Sequence, residues 1–228
     1  RRILKEGDTS VTTPREAEAP PDYRMVALRF VVLLGAVSLF ADMTYEGARS
    51  ITGPYLGLLG ASATAVSVVA GLGELVGYAL RLASGYLADR TRRYWAITFA
   101  GYLVNLGAVP LLALTGHWPA AAVLMIVERV GKAIRTPARD AMLSHATQQV
   151  GRGWGFGLHE ALDQVGAVLG PLVVAAVLVA RSSYRTGFGV LAVPAALAIA
   201  VLVAARLLYP TPRNLEVDAP RLEAGGLR

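Results

Sequence analysis

The most concentrated set of chemically active side chains lies in residues 128–141, ERVGKAIRTPARDA, directly after the apolar run AAAVLMIV. Charged residues make up 17% of the whole chain but almost half of this stretch. At about 100° per residue, an α-helix places all of them within an arc of about 140° and leaves small apolar residues on its other side. They are Glu128, Arg129, Lys132, Arg135, Arg139 and Asp140. Charged side chains at membrane depth face a protein interior or an aqueous cavity, where they hold ions, protons or ionic solutes.

Depth along this helix divides the charges into two groups. We expect Glu128, Arg129 and Lys132 to lie in a buried network or to line a cavity. Arg139 and Asp140 are closer to the end of the apolar segment, and Arg135 lies between the two groups. For all three residues, contact with lipid headgroups is open. The alternative for Arg139 and Asp140 is a gate at the membrane surface, and for Arg135 it is to hold an anionic solute or to pair with the acids of the first span.

Three further sets of acids and bases lie within apolar segments at helical spacing. They are the stripe Asp42, Glu46 and Arg49 at i, i+4, i+7, the pair Glu74 and Arg81, and the neighbours Glu160 and Asp163. Asp42 lies near the middle of its segment, so we expect it and Glu46 to bind a proton or to pair with a cation.

Long apolar segments must position these side chains. The 228 residues are 54% hydrophobic with a mean hydropathy of +0.49, and runs of about 20 apolar residues cross a hydrocarbon core about 30 Å thick. Because irregular backbone is not tolerated against lipid, we predict an all-α membrane protein with six transmembrane helices in 25–208. Their limits are 25–54, 62–88, 94–115, 118–143, 154–180 and 184–208. Residues 1–24 are predicted to be a disordered tail, and 209–228 a second tail or a truncated linker.

The distribution of Lys and Arg predicts the orientation of the chain. Most basic residues fall in the two tails and near the loops after the second and fourth spans, whereas the opposite side receives Arg49, Arg181 and Arg185. Cytoplasmic loops carry the excess of positive charge, so we expect a multi-pass protein of the cell membrane with both termini in the cytoplasm. This topology accounts for the net charge of +6, and nucleic acid is not an expected partner.

Motifs of enzymes, metal sites and cofactor sites are incomplete in this sequence. The segment that begins with His159 and Glu160 is similar to HExxH but lacks the second His. The absence of Cys excludes thiolate catalysis and Cys-ligated metals, and the phosphate-binding pattern GxxxxGK[ST] does not occur. We therefore expect no enzymatic activity, no metal site and no cofactor.

The segment 85–93, GYLADRTRR, resembles the signature G-x-L-A-D-R-x-G-R-R that follows the second helix of major facilitator superfamily transporters. The matching residues are Gly85, Leu87, Asp89, Arg90 and Arg93. Arg92 stands where the family usually has Gly. The resemblance implies a cytoplasmic gate formed by Gly85, Asp89, Arg90 and Arg93, to which we add Arg139 and Asp140 of the fourth span.

Two further patterns resemble the same family in the same helix order. Arg129, followed by Gly131, is similar to a fourth-helix stretch whose arginine the family links to proton coupling. In the fifth span, the residues that match the antiporter pattern G-x8-G-x3-G-P are Gly157, Gly166, Gly170 and Pro171. Gly166 and Gly170 also form a GxxxG, a spacing that lets two helices approach closely.

The family resemblance implies one half of a twelve-helix fold. Each half contains two inverted three-helix repeats, and solute binds between the halves. We thus expect the N-terminal half of a secondary transporter that moves a small solute by alternating access, coupled to protons and directed toward export. The expected solute- and proton-coupling residues are Asp42, Glu46, Arg49, Glu128, Arg129, Lys132 and Arg135. The antiporter-like helix contributes Glu160, Asp163, Gly166, Gly170 and Pro171.

The expected partners are a small solute, protons, the lipid bilayer and a second six-helix half. That half is either a missing C-terminal half or another copy of the chain. An alternative from a different class stays open, namely a six-helix interaction module or truncated remnant that transports nothing.

Overall fold

The computed structural model of the protein describes residues 21–212, which are almost entirely helical and contain no strand. The predicted tails 1–24 and 209–228 lie mostly outside these residues. Residues 21–24, which were predicted to belong to the first tail, form the first turn of a helix instead. The helices are α1 (Pro21–Leu58), α2 (Ala63–Thr91), α3 (Tyr94–Leu112), α4 (Trp118–Val150), α5 (Arg152–Arg181), α6 (Tyr184–Val190) and α7 (Ala192–Leu208).

Five segments among the described residues are long and apolar enough to cross a membrane. They are Tyr23–Leu58, Ala63–Thr91, Tyr94–Leu112, Arg152–Arg181 and Tyr184–Leu208. Helix α4, with 33 residues, is also long enough to cross a membrane. Its charged residues in 128–140 make it more polar than an ordinary apolar span. The chain is thus a multi-pass, all-helical membrane protein.

Helix α4 continues to Val150, seven residues beyond its predicted end. Its last two turns remain helical because Met142, Leu143 and Ala146 are completely buried in a core that includes Phe30 of α1. Gly151, at φ +95°, then ends the helix. Arg139 therefore lies 11 residues, or about 16 Å, from the end of the helix.

The predicted last span is formed by two helices, α6 and α7, separated at Leu191. Pro194 has no backbone N–H, and its ring crowds the carbonyl of the residue four positions earlier. That residue is Val190, where α6 ends. Together α6 and α7 still cover Tyr184–Leu208, a 25-residue segment of high hydropathy.

The most extensive helix contacts join α1 to α5 and α3 to α4. On α5, a Cβ at Gly166 would clash with the carbonyl of Leu39, and a Cβ at Gly170 would clash with that of Met43. At the other pair, Gly131 of α4 lies directly on the backbone of Asn105 in α3. The absence of side chains at these positions brings each pair of backbones into contact.

Candidate functional site

Asp42 of α1 lies between two cations of α4. Its Oδ2 is 3.4 Å from Nζ of Lys132, and its Oδ1 is 3.2 Å from Nη2 of Arg135. The cations are three residues apart and thus on one face of α4. Asp42 is 5% exposed and Arg135 is completely buried, so a single carboxylate offsets part of the charge of two cations largely away from water.

Aromatic side chains support both cations. The guanidinium of Arg135 donates to the hydroxyl of Tyr102 over 3.0 Å and lies 4.4 Å from its ring centroid. The ammonium of Lys132 lies 3.6 Å from the ring centroid of Tyr45. Cation–π contacts stabilise a charge that has lost its water, and these two fix the positions of the cations that face Asp42.

Arg139 joins α4 to α1 and α5. Its Nη1 donates to the hydroxyl of Ser38 over 2.8 Å and lies 3.9 Å from the carboxylate of Asp163. Ser38 in turn contacts Nε2 of His159 at 3.2 Å, while Asp140 accepts from Nε of Arg139 at 3.0 Å. The arginine is therefore tied into a polar network in the interior of the bundle.

Glu128 lies about one helical turn before Lys132 on α4. It is 8% exposed, and its carboxylate accepts a hydrogen bond of 2.7 Å from the side-chain amide of Asn105 in α3. The same amide also donates to the backbone carbonyl of Glu128 over 3.0 Å. A buried carboxylate needs such donors to offset its lost hydration.

A second ion-pair group links α1, α2 and α4. Arg129 pairs with Glu74 of α2, whose carboxylate is also 3.5 Å from Arg49. Arg49 lies 3.7 Å from Glu46. Glu74 and Arg49 are about half exposed, so this group borders the protein surface.

Two cavities adjoin the charged groups. A cavity of about 350 Å³ between α1, α2 and α4 has Arg49, Glu74, Glu128 and Arg129 in its wall. A smaller one, of about 20 Å³, is lined by Arg129, Lys132 and Tyr45, among others. Arg129 borders both cavities, and Lys132 extends from the smaller one to Asp42. A solute-sized space is therefore adjacent to the buried charges.

The structure brings some of the expected residues together and separates others. The stripe Asp42, Glu46 and Arg49 divides, because Asp42 pairs with cations of α4, whereas Arg49 pairs with Glu74 of α2 and with Glu46. On α5, Asp163 faces Arg139, whereas Glu160 is exposed and accepts from Gln164.

The expected gate residues form no single cluster among the described residues. Gly85 packs near Pro137 of α4. Asp89 and Arg90 are exposed at the end of α2, and Arg93 is exposed directly before α3. Among the described residues, the Arg90 side chain donates only to the hydroxyl of Tyr86, at 2.9 Å. Arg139 lies apart from them, inside the bundle.

Several residues of the network were not predicted from the sequence. Glu74 was noted beside Arg81 but pairs with Arg129 instead, and Arg81 lies over the ring of Tyr78. Asn105 and Ser38 are isolated polar residues within apolar runs. Their positions within apolar runs could have indicated that they belong to a buried network, because a buried polar group requires a hydrogen-bond partner.

The comparison with known protein families decides where this fold belongs. Residues 31–225 match the Major Facilitator Superfamily. The chain belongs to this superfamily. Its members are transporters rather than enzymes, in agreement with the prediction from the sequence, and the family resemblance seen in residues 85–93 is thereby confirmed.

Relatives within the superfamily come from mycobacteria and an archaeon. The chain is 52% identical over 195 residues to uncharacterized proteins of Mycobacterium tuberculosis and Mycobacterium bovis, an alignment that covers 85% of this chain and 47% of each relative. It is 34% identical over 140 residues to an uncharacterized MFS-type transporter of Methanocaldococcus jannaschii, which covers 61% of this chain and 35% of that protein. The chain thus spans about half the length of the mycobacterial relatives.

A solved superfamily structure has a similar fold. The crystal structure of a mutant peptide transporter, POT, in complex with sulfate superimposes with a TM-score of 0.69 at 25% sequence identity. The match covers 81% of this chain and 38% of that one. The helical arrangement described above is therefore that of part of a superfamily transporter.

Proposed function

We propose that this chain is the N-terminal six-helix half of a secondary active transporter that moves a small solute by alternating access, with coupling to protons. The observation that carries the proposal is the position of Asp42, buried near the middle of α1 between Lys132 and Arg135. An ion-paired acid at this depth is costly to maintain, and such residues mark ion and proton pathways in membrane proteins.

Asp42 offers a direct way to couple a proton to a solute. A proton on its carboxylate removes the negative charge that neutralises Lys132 and Arg135. The two cations then attract an anionic group of a solute, or they force the surrounding helices to rearrange. Arg129, at the wall of both cavities, is suited to hold solute, and Glu128 provides a carboxylate in the wall of the larger one. Glu46 lies 3.7 Å from Arg49, which lines the same larger cavity.

The proposed half consists of two inverted three-helix repeats. The first would comprise α1 to α3, and the second α4, α5 and the α6–α7 pair. A second half, either C-terminal or another copy of the chain, would close the solute site. The glycine pattern of α5, which is similar to that of antiporters, favours export. The arginine distribution supports an orientation with both termini on the cytoplasmic side of the bacterial inner membrane.

Proteoliposomes that contain the complete gene product test this proposal. A pH-sensitive dye trapped inside reports proton movement while a panel of anionic, cationic and neutral solutes is offered under imposed pH gradients. We expect at least one solute to move protons, and Asp42→Asn to abolish that proton movement. Asp42→Glu, which keeps the carboxylate, is the matched control and should retain part of it.

The outcomes separate the two parts of the proposal. Solute flux that ignores the pH gradient and persists in Asp42→Asn would contradict proton coupling alone. A complete absence of solute flux under every gradient would contradict transport and favour a membrane interaction module.

A further inference from the structure

Two cavities meet where α2 ends and α3 begins, away from the buried charges of α1 and α4. The first, of about 290 Å³, lies between the start of α3 and the end of α7 and contains Arg92, Arg93 and Arg206 in its wall. The second, of about 520 Å³, lies between α2, α3 and α4 and is almost entirely apolar. Arg93 and Ala96 line both cavities, so a polar compartment opens into an apolar one.

The first cavity is strongly basic. Its lining contains three arginines and no acidic residue. The side chains of Arg92 and Arg93 have no ion-pair or hydrogen-bond partner among residues 21–212. All three side chains are exposed, and Arg206 also donates to the backbone carbonyl of Pro210. Together they create a positive potential in this space, which attracts an anion.

Arg92 adds an independent indication from its backbone. It caps α2 in the left-handed conformation, with φ 56°, which glycine adopts without strain and a long side chain does not. A long cationic side chain at a position that favours glycine, without a described partner, indicates that the guanidinium itself is useful in the cavity.

The basic cavity lies where three apolar segments end, next to a group of buried aromatic side chains. The ring of Trp95 contacts Phe30 and Phe99, and its Nε1 donates to the carbonyl of Tyr209 over 3.1 Å. The guanidinium of Arg206 lies 5.8 Å from the Trp95 ring. Because the apolar segments Ala63–Thr91, Tyr94–Leu112 and Tyr184–Leu208 end or begin beside this cavity, it lies at the boundary between headgroups and hydrocarbon.

The apolar cavity extends from this boundary into the membrane. Along α2 it reaches from Thr91 to Leu80, which at 1.5 Å per residue is about 16 Å. One leaflet of a bilayer with a core about 30 Å thick measures about 15 Å. The groove therefore has the length and the apolarity of one acyl chain.

We propose that these two cavities form a binding site for an anionic phospholipid, with the phosphate held by Arg92, Arg93 and Arg206 and one acyl chain in the groove between α2, α3 and α4. A free phosphate would use only the basic cavity, and an acidic peptide would have no use for an apolar groove of leaflet length. The combination of both compartments at one membrane boundary fits a lipid. Basic pockets between helices at the cytoplasmic surface are a known form of lipid recognition.

Native mass spectrometry of the complete protein in detergent tests the site with two named probes, phosphatidylglycerol and phosphatidylcholine. We expect retained phosphatidylglycerol adducts and few of phosphatidylcholine. Arg92→Gln with Arg206→Gln should weaken the anionic lipid about 30-fold, since each arginine near the surface contributes about a factor of five. Arg29→Gln with Arg152→Gln is the matched control, because it removes two exposed arginines at the same end of the helices but outside the cavity.

The groove is tested separately by Ala100→Phe, which fills it without a change in charge. Ala100 is exposed in the groove wall, so this variant is expected to fold. It should weaken phosphatidylglycerol and leave binding of inorganic phosphate unchanged.

Two results would overturn the proposal. Equal lipid retention in the cavity and control double variants would mean that the arginines form no specific site. Displacement of the lipid by inorganic phosphate, together with no effect of Ala100→Phe, would identify a phosphate site without an acyl-chain compartment.

Discussion

The side chain of Arg135 is completely buried, with one nitrogen 3.2 Å from the carboxylate of Asp42 and another 3.0 Å from the hydroxyl of Tyr102. Of the two interpretations open for Arg135 from the sequence, contact with headgroups does not occur in this arrangement. The arginine instead joins α4 to α1 and α3. One buried cation thus makes polar contacts with two neighbouring helices.

The Asp42–Arg135 pair should show strong energetic coupling. We expect Asp42→Asn to lower the free energy of unfolding by about 3–5 kcal/mol, because it leaves two buried cations with less neutralising charge. Arg135→Gln should act similarly. The double variant should cost less than the sum of the two by about 1–3 kcal/mol, since it removes both charges.

Unfolding in mixed micelles, followed by circular dichroism, measures this cycle. Arg29→Gln serves as an exposed arginine control on the same helix as Asp42. Additive effects of the two single changes would show that the pair contributes no specific interaction.

Replacement of Arg129 should mainly affect transport, whereas replacement of Arg139 should mainly affect thermal stability. Arg129→Ala should abolish transport with a small change in Tm, because Glu74 is about half exposed and still has Arg49 nearby. Arg139→Ala should only weaken transport but lower Tm clearly, since Ser38 and Asp163 lose a partner inside the bundle. Solute uptake and thermal unfolding of the same preparations give both values, and equal losses of transport would contradict this division.

The glycine contact between α5 and α1 should not accept a side chain. Gly170→Ala places a methyl group against the backbone of Met43 and should cost about 1–3 kcal/mol through overpacking. Gly157→Ala on the same helix is the control, because nothing lies within 4 Å of the added carbon. The control should be neutral or slightly stabilising, since alanine favours a helix more than glycine does. Equal unfolding midpoints for the two variants would refute the close contact.

Single cysteines can test the proposed orientation, because the 228 residues contain none. Ser182→Cys, between α5 and α6, should react with a membrane-impermeant maleimide in intact cells. Arg152→Cys, at the start of α5, should react only after the cells are opened. Both positions are exposed, so the reverse pattern would invert the topology.

The fold was largely predictable because lipid imposes strict rules on sequence. Apolar runs and the loop 85–93 were sufficient to predict a multi-pass helical membrane protein and its superfamily. The ends of helices were harder to predict. The extension of α4 to Val150 depends on contacts of Met142 and Leu143 with α1, and such tertiary contacts leave no local signal.

The sequence indicated which charged residues lie within the apolar segments, but not which of them pair with each other. Helical spacing placed Lys132, Arg135 and Asp42 on definable faces, yet it could not tell which face meets which helix. The pairing of Glu74 with Arg129 depends on the packing of α2 against α4, and Gly73 provides the space for the arginine side chain. From the sequence alone, Gly73 does not indicate a contact with an arginine, because the helix that packs against it is not known.

The glycine contacts also determine how the charges can move. At Gly166 and Gly170, α5 packs directly on the backbone of α1, so Asp163 and Asp42 lie on two helices that are expected to move together. At Gly131, α4 packs directly on α3, so these two helices form a second pair, which contains Lys132, Arg135 and Arg139. The cations repeat about once per turn, and a slide of one turn, about 5.4 Å, would bring Asp42 to the next cation in the series. Such a slide would exchange the partner of Asp42 among Lys132, Arg135 and Arg139 while α5 stays packed against α1 and α4 against α3.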